Sequence, residues 1–126
     1  MRYDPDRPVS VQQWTQFDEG KQIELVENYH HRARVRLPNL RLHASLHVVV
    51  ENQVLLGEEM PVAATLKRLM AEGLDRHDAI HAIASVLSVV MYDAVTRGGT
   101  ADLEAAYGSE VTRLTAKSWR SQAGQS

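Results

Sequence analysis

Two stretches of the chain repeat one spacing of imidazoles. His43-x-x-x-His47 is followed four residues later by Glu51, and His77-x-x-x-His81 lies further along. Four residues make about one helical turn, so each pair would stand on one helix face, its members about 6 Å apart along the axis. Imidazole and carboxylate are donors for zinc, iron, nickel or manganese, and spacing does not choose among these ions. His43, His47, His77 and His81 are therefore the candidate ligands of a divalent transition-metal centre. Glu51 joins them either as a ligand or as the carboxylate that orients a histidine. The Glu-x-x-His pattern of the di-iron bundles is absent from both stretches and occurs elsewhere, at Glu27-Asn28-Tyr29-His30.

The surrounding apolar residues place these rings. On the first stretch His43 and His47 fall within the stripe Leu40, Leu46, Val50 and Val54. On the second, His77 and His81 fall within the stripe Ile80, Ala84, Leu87 and Met91. Four imidazoles then face a core, where an unpaired polar group costs roughly 1–3 kcal/mol. Two arrangements satisfy them: a shared metal ion, or a structural network of hydrogen bonds to backbone carbonyls, Glu51 and one another.

The elements that must carry them are helices. Ser10 caps a short helix over Val11–Phe17, and Asp18 caps a second over Glu19–Ala33, where Ile23, Val26 and Tyr29/His30 recur at helical spacing. Pro38 breaks the pattern, and Asn39 caps a third helix, Leu40–Leu56, which Gly57 stops. A fourth helix runs from Pro61 to Glu72 and ends at Gly73. A fifth runs from about Arg76 to Thr96, opened by Asp75 with Asp78 three residues on as a weak capping pair, and ends at Gly98-Gly99. A last helix spans Asp102 to about Trp119, with Gly108 as its weak point. The expectation is all-α: one domain over 1–126, a compact bundle of four principal helices with short flanking ones, an arm at 1–9 and a frayed tail at 121–126. If the third, fourth and fifth helices alternate in direction, the third and fifth are parallel. His43 then lies level with His77, and His47 with His81.

Composition narrows the classes. The 126 residues are 44% hydrophobic and 24% charged, as in an ordinary globular domain. Cysteine is absent, so thiolate ligands, disulfides and a cysteine nucleophile drop out. The net charge of −2 argues against nucleic acid, although protonating all six histidines would reverse its sign. The start of the chain lacks the apolar stretch of a signal peptide. The apolar run Ala82–Met91 is too short to span a bilayer, so a cytoplasmic location without membrane contact follows. His30, His31, Arg32, Arg34, Arg36 and Arg41 form a basic cluster, read as a solvated helix end rather than a phosphate site. Asp75, Arg76 and Asp78 read as solvated charges. Glu51-Asn52-Gln53 reads as a solvent-facing edge unless Glu51 supports a histidine. Trp14, Trp119, Tyr92 and Tyr107 are expected as core or interface anchors. No HExxH, GxSxG or phosphate-cradling glycine loop is present.

The residues Leu42-His43-x-x-x-His47-x-x-x-Glu51-Asn52-Gln53, with Gly73-Leu74-Asp75-Arg76-His77-Asp78-Ala79-Ile80-His81-Ala82, resemble a group of short bacterial proteins of unknown function, over roughly residues 18–97. The resemblance implies a bacterial, cytosolic, helical domain and carries no catalytic residue with it. Two functions follow from the residues themselves. One is metal binding, of zinc or iron type. The other is a cofactor-free interaction module, a homodimer built on an apolar helix face with a structural histidine network.

Overall fold

The computed structural model describes residues 1–98 and 102–125. Among them are seven α-helices and no strand: α1 (Val11–Trp14), α2 (Glu19–Arg32), α3 (Leu40–Leu55), α4 (Val62–Ala71), α5 (Arg76–Arg97), α6 (Leu103–Arg113) and α7 (Ala116–Gln125). The all-α expectation therefore holds. The valine-rich runs Val48–Val50 and Val86–Val90 are helical, as their flanking caps require.

Side-chain caps open the helices that matter for the site. Asp18 accepts from the Lys21 amide, Asn39 from Leu42 and Asp75 from Asp78. Four helices are followed by a left-handed residue: Arg34 after α2, Gly57 after α3, Gly73 after α4 and Gly98 after α5. Gly73 (φ 108°) ends α4, with the Leu74 amide bonded back to the Leu69 carbonyl. α2 ends the same way on Arg34 (φ 59°), the Val35 amide reaching the His30 carbonyl. Helix termination at Arg34 thus leaves His30 in the last full turn of α2.

Two apolar clusters share α3. Tyr3, Trp14, Val26, Ala44 and Val48 pack on its α2 side. Val50 packs with Leu69, Ile80, Ile83 and Leu87 on the side of α4 and α5, and α6 adds Tyr107 and Val111. Along α5 the buried stripe continues through Val90 and Ala94, so the expected Met91 is exposed instead. Tyr92 is also exposed, whereas Trp14 and Tyr107 are buried. By length and composition α5 is apolar enough to cross a membrane, contrary to the reading of Ala82–Met91 alone. One side of it packs against α3, α4 and α6.

Several boundaries differ from expectation. The last helix breaks at Leu114, whose backbone is extended, and Thr115 restarts it by capping the Ser118 amide. Gly108 lies inside α6, where an added Cβ would sit 3.7 Å from Pro61 Cγ. α7 stays helical to Gln125; Ser126 and Gly99 lie outside the described residues. The arm at 1–9 has no helix but buries Tyr3 and Pro5.

Candidate metal centre

Three helices converge on one cluster of imidazoles. α2 supplies His30, α3 supplies His43 and His47, and α5 supplies His77 and His81. Neighbouring ring centroids stand between 4.2 Å (His77–His81) and 6.3 Å (His30–His77) apart. One nitrogen from each of His30, His47, His77 and His81 lies within 4.8 Å of the others. His43 adjoins this group, its Nε2 3.1 Å from His81 Nε2. Nitrogens sharing a tetrahedral zinc at about 2.05 Å stand about 3.3 Å apart. The widest separation in the set, up to 4.8 Å, exceeds this spacing.

Of the four expected histidines, His47, His77 and His81 lie in the group and His43 adjoins it, and one further ring, that of His30, joins them. His30 is 1% exposed, not part of a solvated basic end, while His31, Arg32, Arg34, Arg36 and Arg41 stay outside. The signal for His30 was its place in phase with Ile23 and Val26 on the buried side of α2. Glu51 was expected either as a ligand or as a carboxylate supporting a histidine. It is fully buried, but both carboxylate oxygens are engaged: Oε1 accepts from Arg76 Nη2 at 2.7 Å, and Oε2 from Arg76 Nη1 at 2.9 Å and from Tyr3 Oη at 2.6 Å. It acts as the carboxylate behind the histidines. Arg76, expected in solvent, is 4% exposed and makes this bidentate pair. Asp75 and Asp78 are exposed as expected.

The pairing across helices runs opposite to the parallel expectation. Glu51 meets Arg76, His47 stands between His77 and His81, and His43 meets His81. Numbers rise along α3 as they fall along α5. α4 has only ten residues, about 15 Å of helix, and does not return the chain to the start of α3. α5 therefore begins beside the C-terminal half of α3.

Proton accounting decides what the rings present. The Val26 carbonyl can only accept, so His30 Nδ1, 2.8 Å away, carries the hydrogen and Nε2 is bare. Tyr3 has one hydroxyl proton, which goes to Glu51. Its oxygen therefore accepts from His47 Nδ1–H at 3.1 Å, leaving His47 Nε2 bare as well. Burial, reinforced by Glu51, holds the Tyr3 phenol well above its ordinary range, so that proton stays. Among the described residues, the buried side-chain polar atoms without a hydrogen-bond partner are His30 Nε2, His47 Nε2 and His77 Nε2. All three belong to this cluster.

His43, His47, His77 and His81 are held neutral. Burial, with His30 and His77 adding to it, pushes His43 down to about 4. Burial and the neighbouring His77, His43 and His30 push His81 down to about 3. Burial drives His47 lower still, and lowers His77 against the opposing pull of Asp6. In the unfolded chain these groups titrate near 6.5. Metal-free protein should keep its full stability above that pH and lose it as the pH falls from about 6.5 toward 4. Over that range the unfolded chain takes up protons that the native state refuses, each worth about 1.4 kcal/mol per pH unit. Urea unfolding between pH 8 and 4.5 measures this, and a midpoint independent of pH would contradict neutral burial.

The polar triplet is not a solvent edge. Asn52 accepts from Trp14 Nε1 at 2.8 Å and donates to Gln22, and Gln53 accepts from Tyr107 Oη at 2.6 Å. These bonds tie α1, α2 and α6 to α3 and hold the frame of the centre.

Residues 21–113, most of the chain, match the family described as Domain of unknown function (DUF1841). The chain belongs to this family. The matched range contains all five clustered histidines, Glu51 and Arg76, and starts beyond Tyr3. No curated protein and no solved structure matches the chain.

Proposed function

We propose that this DUF1841 protein binds a divalent metal ion of the zinc, nickel or copper type through His30, His47, His77 and His81, with His43 as an adjoining fifth imidazole. The observation that carries the reading is the set of three buried Nε2 atoms, of His30, His47 and His77, that have no hydrogen-bond partner within one cluster. A neutral imidazole lone pair in a core wants a proton donor or a cation, and leaving each unpaired costs about 1–3 kcal/mol. A single ion satisfies all of them. The donor set is nitrogen only, which suits borderline ions better than magnesium, calcium or manganese. With Glu51 held by Arg76 and Tyr3, the two-histidine, one-carboxylate arrangement of non-haem iron is not favoured. A cytosolic setting accompanies this reading.

The test is elemental analysis of untagged protein, followed by chelator treatment and titration with zinc, nickel and copper. About one equivalent should be retained or taken up. Less than about a tenth of an equivalent of every transition metal, with no uptake on titration, would overturn the reading.

A second reading, compatible with the first, is self-association. Val89, Tyr92 and Val95 follow one another at three-residue spacing along α5, and each is more than half exposed. A second copy of this chain is the proposed partner for that apolar strip. Sedimentation should show a dimer whose population rises with concentration and falls in Tyr92→Lys. A monomer at high concentration would remove this reading.

A further inference from the structure

The first nine residues form no helix, yet Tyr3 is 1% exposed and Pro5 is buried. Hydrogen bonds from this segment to the rest of the protein run to the histidine cluster and its support. Tyr3 Oη bridges His47 Nδ1 and Glu51, Arg76 Nη1 donates to the Pro5 carbonyl at 3.0 Å, and the His77 amide donates to Asp6 Oδ1 at 3.2 Å. On the outside, Arg32 Nη2 donates to the Tyr3 carbonyl at 3.2 Å. The Tyr3 ring also stands edge-on to His47, with centroids 5.9 Å apart.

We propose that residues 1–9 are a strap that completes the metal centre. Tyr3 is its positioning residue, holding His47 with Nδ1 protonated and Nε2 bare, so that strap docking and metal occupancy are coupled. The proposal rests on the metal reading above. Its physical content is the single phenolic proton. Because Glu51 takes that proton, the Tyr3 oxygen is left as an acceptor, and only the Nδ1–H form of His47 satisfies it. Without the hydroxyl nothing on that side selects the tautomer. A proton on Nε2 would then occupy the spot where the ion must bind. Arg76 adds the second link, since one guanidinium clamps Glu51 and the strap backbone at Pro5 together. Coupling of this kind is reciprocal: a docked strap favours the ion, and the ion favours a docked strap.

Histidine nitrogen NMR on the metal-free full chain, followed by zinc titration, tests this. Wild-type His47 should be the Nδ1–H tautomer. Tyr3→Phe, which keeps the ring, should lose that form and bind zinc roughly 10–100-fold more weakly, as expected when a ligand's supporting hydrogen bond is removed. Zinc should also slow amide exchange across residues 3–7 of the wild type. Arg32→Ala, which loosens the strap from outside and leaves every ring of the centre in place, should show a smaller loss of affinity and faster exchange of residues 3–7. This variant keeps the proposal open to refutation if Tyr3→Phe does not fold. Wild-type His47 found as Nε2–H, an Nδ1–H form that survives in Tyr3→Phe, or unchanged zinc affinity in both variants overturns the strap alone. A wild-type chain that takes up no zinc overturns the metal reading, and the coupling with it.

Discussion

Zinc at a hundred times its dissociation constant should stabilise the metal-free protein by about 2.7 kcal/mol, because an ion that binds only the folded chain shifts the equilibrium by mass action. For a domain of 126 residues this is a rise in Tm of roughly 10 °C. The response should disappear in His30→Ala/His47→Ala, which removes two of the three unpartnered Nε2 atoms. His43→Ala should keep more of it than His30→Ala does, because His43 lies beside the group of four rather than in it. Differential scanning calorimetry, with and without chelator, reads both effects. An equal rise in the double variant would place the ion elsewhere, and an equal loss in the two single variants would make His43 a ligand of the same standing.

Removal of the Arg76 guanidinium should be the most damaging single change near the site. Arg76→Met leaves the Glu51 carboxylate buried and uncompensated, with only the Tyr3 hydroxyl donating to it, and should cost about 3–5 kcal/mol. Arg76→Lys should not restore the loss, since an ammonium cannot serve both carboxylate oxygens and the Pro5 carbonyl in the geometry of the planar fork. Glu51→Leu/Arg76→Met removes both charges and should cost less than Arg76→Met alone, because no uncompensated charge remains. Urea unfolding at pH 7.5 measures the series. A double variant as unstable as the sum of its parts would show that the two charges act separately.

Much of this architecture can be read from local pattern. The caps Asp18, Asn39 and Asp75, the stop at Gly73 and the helical recurrence of apolar residues place α2 to α5 within a few positions of where they lie. The four-residue spacing puts His43 with His47, and His77 with His81, on one face each. These features depend on residues within a turn or two of one another, and a linear chain displays such neighbours directly.

The partners across the core are another matter. His30 precedes a run of arginines at a helix end, and that context has the same local signature as a solvated terminus. Arg76 stands at the first position of α5, where charge is ordinary, and becomes buried only because Glu51 on α3 meets it. Tyr3 lies in a segment without any periodicity, and it meets His47 across a sequence separation of 44. The direction in which α5 passes α3 follows from how a short α4 turns between them, and no residue pattern within either helix encodes it. Which rings could share an ion was thus written along each helix. That five of them meet, with Glu51 withdrawn behind Arg76 and Tyr3, came only from packing, because long-range contacts arise from the mutual orientation of whole helices and not from the spacing within one.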